Sequence, residues 1–122
     1  MAEEKIKAIV KRPDEQYGHM TWISNNLKNF QRTVGGYIQA VNLSDDIMPP
    51  DEKFPDKVIL ICNEEGKIQG LPKNLDVRIE GFLGIGWDSI VGDCIICGED
   101  GEEFADIPIS MKQWKAYVDA VN

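Results

Sequence analysis

Basic residues, histidine and long apolar runs are what this 122-residue chain has least of, and each shortage removes a class of function. Lysine and arginine number 13 against 21 acids, a formal net charge of -8. A broad basic surface that could neutralise a phosphate backbone is therefore excluded, and direct nucleic-acid binding is not expected. No window approaches the roughly 18 uninterrupted apolar residues of a membrane span, so no transmembrane helix is expected. The start, Met1-Ala2-Glu3-Glu4-Lys5, lacks the basic and then apolar order of a secretory signal, which favours a cytoplasmic protein. The three cysteines, Cys62, Cys94 and Cys97, are an odd number; they rule out a full disulfide framework and fit free thiols in a reducing compartment.

The single histidine, His19, limits the chemistry further. Cys94-Ile95-Ile96-Cys97-Gly98 has CxxC spacing, and with Cys62 and His19 it formally completes a Cys3His zinc set. In an extended strand, however, residues three apart point to opposite faces, and the two isoleucines between the cysteines belong in a core. Neither a metal nor any other cofactor is expected. Gly81-Phe82-Leu83-Gly84-Ile85-Gly86 is glycine-rich but has neither the Lys-Ser/Thr of a phosphate-binding loop nor the spacing of a dinucleotide fingerprint. No nucleophile elbow is present, and the chain does not read as an enzyme.

What is there is an ordinary globular composition, 43% apolar and 28% charged, at a length that suits one domain over residues 1–122. Residues 5–11 alternate and then end in a β-branched pair, a half-buried strand, with residues 19–23 pairing back as a hairpin. Ser24 or Asn25 offers a helix cap, and Leu27, Phe30 and Val34 make one stripe of a helix over 25–34. Gly35 supplies a left-handed cap, and Gly36 leads into a strand at 37–41. Residues 44–56 carry three prolines and five acids, a surface loop. Val58–Ile61 is apolar at every position, as in a central strand covered on both faces. Asn63-Glu64-Glu65-Gly66 is turn chemistry that would return Lys67-Ile68 as an antiparallel strand.

Residues 75–89 carry no assigned regular element; Gly81, Gly84 and Gly86 interleave with Phe82, Leu83, Ile85 and Trp87 as in a loop that packs its apolar groups inward. Residues 89–98 read as one strand kinked at Gly92, Asp100-Gly101 as a hairpin turn, and 104–107 as the returning strand. Ser110 and Gln113 form a capping box for a helix over 110–121 with Met111, Trp114, Val118 and Val121 on its apolar stripe. The expected fold class is α+β: an antiparallel or mixed sheet of about five to seven strands with two helices, near 25–34 and 110–121, packed on it.

Two groups of polar residues are candidates for binding. Tyr37 beside a glycine pair, with Asn63, Glu65, Asn74 and Arg78, either lines a polar pocket or satisfies the backbone of nearby turns. Asp45, Asp46, Asp51 and Glu52 form an acidic surface on the long loop.

The strand Ile6-Lys7-Ala8-Ile9-Val10, the segments Val34-Gly35-Gly36-Tyr37-Ile38 and Cys62-Asn63-Glu64-Glu65-Gly66-Lys67, Leu71-Pro72 with Asn74, and Ile90-Val91-Gly92 occur in an order that resembles the family catalogued as domain of unknown function 3846. The resemblance implies a phage, plasmid or other mobile-element setting, and it carries no catalytic residues over. Together with the acidic loops it points to a small, non-catalytic binding protein that acts on a host protein through a surface. The alternative is a protein that sequesters a small nucleotide-like ligand in a pocket at or near a subunit interface, which makes a homo-oligomer part of that reading.

Overall fold

The computed structural model describes residues 4–122. Its sheet contains β1 (Lys5–Lys11), β2 (His19–Ser24), β3 (Ile38–Leu43), β4 (Val58–Asn63), β5 (Lys73–Gly81), β6 (Gly84–Val91), β7 (Cys94–Asp100) and β8 (Glu103–Ala105). Two helices, α1 (Leu27–Val34) and α2 (Met111–Val121), complete the fold. The α+β class holds, and every strand pairing is antiparallel. Among the described residues the expected five to seven strands are eight, in the order β2-β1-β7-β4-β3-β5-β6 with β8 beside β7. Among the described residues no helix is long and apolar enough to cross a membrane.

The core is double. Val58, Leu60 and Cys62 of β4 and Cys94 and Ile96 of β7 face one cluster, closed by Trp114, Tyr117, Val118 and Val121 of α2. Ile59 and Ile61 of β4 with Ile95 and Cys97 of β7 face the other, closed by Phe30 and Val34 of α1. A strand covered on both faces loses the polar half of its alternation, which is why β4 is apolar from Val58 to Cys62. β5 pairs with β3 only at Ile79 and Glu80, and the β5–β6 ribbon then bends across the α2 side, placing Leu75, Val77 and Ile90 in the same cluster as Trp114. The Tyr117 hydroxyl fastens α2 to this ribbon, accepting from Arg78 N at 3.0 Å and donating to Arg78 O at 3.1 Å.

Several local expectations are corrected. Asn26, not Ser24 or Asn25, caps α1 through its side chain, and Leu27 is exposed because only Phe30 and Val34 reach the sheet. Residues 64–70 form consecutive turns instead of a hairpin strand, since Asn63 Oδ1 accepts from Glu65 N and Leu71 N donates to Gly66 O, folding the chain back on itself. Gly92 does not kink one strand: at φ 72° it separates β6 from β7, which are not neighbours in the sheet. The residues left unassigned at 75–89 are most of β5 and β6. The second helix, its capping box and the Asp100-Gly101 hairpin stand as read.

Gly35 ends α1 at φ 81°, where a β-carbon is strained, and a β-carbon on Gly98 would collide with the carbonyl oxygen of Asp106. Gly35→Val is expected to cost about 1 kcal/mol or more. Gly98→Ala is expected to cost more than that, because the obstruction is backbone. Urea midpoints at unchanged slope check both.

Candidate functional site

The α1–β4 junction gathers three of the five candidate polar residues. Tyr37 is exposed where the chain leaves Gly36, and with Asn63, Glu65, Gln31 and Gln69 it borders an open depression of about 260 Å³. Asn63 is buried, and its amide is spent on architecture. Nδ2 donates to Val34 O at 3.3 Å and to Gln69 Oε1 at 3.2 Å, and Oδ1 accepts from Glu65 N at 2.8 Å. Gly36 is small because a β-carbon there would stand 2.9 Å from Asn63 Nδ2. The depression thus offers a ligand one aromatic ring, one carboxylate and two glutamine amides.

Asn74 and Arg78 lie elsewhere. Asn74 Nδ2 donates to Lys11 O at 3.0 Å and Gly92 O at 2.8 Å, and its Oδ1 accepts from the Lys11 ammonium, so it braces β5 against β1. Lys11 is buried, 2% exposed, and donates to carbonyl oxygens of Asn74 and Arg12; burial pushes its pKa down. Sequence reading missed this lysine. Its one signal is position, since it follows Ile9 by two and so shares the core face.

Arg78 grips the long loop. Its Nε and Nη2 meet Asp46 Oδ1 and Oδ2 at 3.1 and 2.7 Å, a two-pronged pair, while its guanidinium lies 4.9 Å from the Trp87 ring centre. Asp45 accepts from Phe54 N at 2.7 Å, which seats Phe54 on Tyr117. Two of the four loop acids, Asp45 and Asp46, therefore hold the loop in place, and Asp51 and Glu52 sit on a short 3-10 turn at its outer side.

Two other surface features come from pairing. Val58 lies opposite Gly98 across β4 and β7, which brings the end of the proline-bearing loop beside the β7–β8 hairpin. Asp56, Glu99, Asp100 and Asp106 surround one opening of about 300 Å³ there, with Lys57 the cation of the lining, 3.7 Å from Glu99. At one end of the sheet order, away from the central β7 and β4, the β5–β6 ribbon carries Phe82 and Leu83 fully exposed at its tip, followed by exposed Ile85 and Trp87. The expectation that these apolar groups pack inward is corrected: they stand exposed on a strand ribbon, whose alternation the glycines at 84 and 86 of β6 hide.

A family model described as Domain of unknown function (DUF3846) matches residues 6–119. The chain belongs to this family. No curated protein and no solved structure matches it.

The cysteines of this DUF3846 chain are packing groups. Cys94 and Cys97 are buried in opposite clusters and Cys62 lies with Cys94, all as free thiols. Among the described residues no three His, Cys, Asp or Glu side chains gather as a metal set. Burial pushes Cys62 up to about 11 and Cys94 and Cys97 up to about 12, so the reactive thiolate is scarce near neutrality. A disulfide reagent that reads free thiols is expected to label none of the three in native protein and all three after denaturation; rapid native labelling would contradict the packing.

The Arg78 hydrogen bonds hold the Asp46 carboxyl below its ordinary value of 3.8. A carboxylate depressed in the folded state stabilises above its unfolded pKa and loses that contribution as pH falls through the folded one. Asp46→Asn is therefore expected to melt below wild type at neutral pH, with the gap closing as pH drops below 3.8.

Proposed function

We propose that the protein is a small, non-catalytic binding protein of a phage or other mobile element, acting in the bacterial cytoplasm on a host protein that presents a basic surface. The observation that carries this reading is the acidic opening where the chain entering β4 meets the β7–β8 hairpin. Four carboxyl groups line it against the one cation of the lining, Lys57: Asp56 from the loop before β4, Glu99 and Asp100 from the end of β7, and Asp106 from the segment after β8. On a chain of net charge -8 such a surface steers a basic partner and repels an acidic one. Asp45 and Asp46 are engaged within the chain, and Asp106 likewise accepts from Lys7 N at 2.8 Å, so the contact rests on Asp56, Glu99 and Asp100.

The small-ligand alternative ranks second. Tyr37, Asn63 and Glu65 share a depression, but Asn74 is bound to Lys11 and Arg78 to Asp46, so the cations a phosphate requires are not at that site.

The test is capture from host lysate by wild type and by the triple variant Asp56→Asn, Glu99→Gln, Asp100→Asn. All three side chains sit at the surface, so circular dichroism should be unchanged. The neutralised protein is expected to lose the partner that wild type recovers, and the wild-type complex to weaken as salt shortens the Debye length from about 10 Å toward about 3 Å. Recovery of the same partner by both proteins would refute the acidic opening as the contact.

A further inference from the structure

We propose that the β5–β6 ribbon is a self-association surface, on which a second copy of this chain adds its β6 antiparallel to β6 about a two-fold axis near Gly86.

Among the described residues strand β6 is an edge of the sheet, hydrogen-bonded to β5 alone. An edge of eight residues normally carries a lysine, a proline or a bulge that discourages pairing. β6 reads Gly-Ile-Gly-Trp-Asp-Ser-Ile-Val, and its register with β5 runs without a shift from Ile90 to Gly84. Its one charge, Asp88, is paired with Lys67 at 2.7 Å. The ribbon closes at Gly81 and Gly84 around a two-residue turn, so the alternation of an antiparallel ladder aims the backbone groups of Gly84, Gly86 and Asp88 at β5 and those of Ile85 and Trp87 outward. Near the other end of the strand the turns at 64–70 close in, with Gly66 against Val91, which leaves Gly84–Asp88 as the open stretch.

An axis at Gly86 fits that stretch. Ile85 of one copy then lies opposite Trp87 of the other and exchanges backbone hydrogen bonds with it, giving a continuous apolar stripe. Asp88 faces Gly84 and not a second Asp88, which avoids like charges across the pair. The same register carries the fully exposed Phe82 and Leu83 alongside Ser89 and Ile90 of the other copy. There the surface has a depression of about 150 Å³, in which Ile90, Val91 and the almost fully exposed Ile68 stand beside the Lys67–Asp88 ion pair. Knob and hole thus sit on one element at the spacing that a two-fold axis requires. Area agrees: an aromatic ring withdraws about 150–250 Å², so two copies of Phe82, Leu83, Ile85 and Trp87 reach on the order of 1,000 Å², the lower range of a specific interface. A second copy is favoured over a lipid surface because an anionic bilayer repels a chain of net charge -8.

The experiment is mass by light scattering and sedimentation over a hundredfold range of protein concentration, for wild type, Ile85→Lys, and the double variant Phe82→Ser with Leu83→Ser. All substituted side chains are exposed, so far-ultraviolet circular dichroism and melting should stay near wild type. Wild type is expected at twice the monomer mass, and each variant at monomer mass or with its dissociation constant raised at least tenfold. A wild type that is monomeric throughout, or a dimer that survives in both variants, overturns the proposal. Because Asp56, Glu99 and Asp100 are untouched, partner capture by the acidic opening is read independently of this result.

Discussion

Both faces of β4 and β7 are buried, and that demand shapes everything around them. A strand apolar on both sides needs a cover on each, and this chain provides α1 for Ile59, Ile61, Ile95 and Cys97 and α2 for Leu60, Cys62, Cys94 and Ile96. The first helix is short and reaches the sheet with only Phe30 and Val34. The second is longer, and its Trp114 and Tyr117 are too wide for the sheet alone, so the β5–β6 ribbon bends over to complete that side. The three cysteines follow from the same demand: they fill small apolar positions in a two-sided core, where burial keeps them protonated.

Bending a ribbon over a sheet leaves backbone groups that the ladder no longer satisfies, and amide side chains meet that need. Asn74 bridges Lys11 and Gly92, Asn63 joins the end of α1 to the turn after β4, and Asn122 both donates to and accepts from the backbone of Asp76. An unpaired buried amide or carbonyl costs about as much as a lost hydrogen bond, so these residues are fixed by architecture before any ligand is considered. Arg78 and Asp46 do the same for the long loop.

What the fold does not consume is separated in space. The acidic opening lies where β4, β7 and the β7–β8 hairpin meet, whereas the apolar tip lies on β6, the far edge of the sheet. One is polar and suits a steered encounter; the other is dry and suits a long-lived contact. Placing them on different elements leaves each accessible when the other is covered.

The sequence by itself determined the class and the local punctuation: the capping box at Ser110, the left-handed cap at Gly35, the two-sided strand at Val58–Ile61 and the opposite facing of Cys94 and Cys97. These are legible because each depends on neighbours a few residues away. Half of the missed hairpin was legible too, since Leu75, Val77 and Ile79 alternate with Asp76, Arg78 and Glu80; its partner was not, because glycines at 84 and 86 remove the side chains that periodicity needs. The tertiary structure alone decided which polar residues meet. Asn63 and Glu65 are close in sequence and stay together, but Asn74 went to Lys11 and Arg78 to Asp46, and Asp56 joined Glu99, through pairings made across 63, 32 and about 40 residues of chain. Sheet order is set by the global burial of apolar faces, a sum over the whole chain that no local pattern contains.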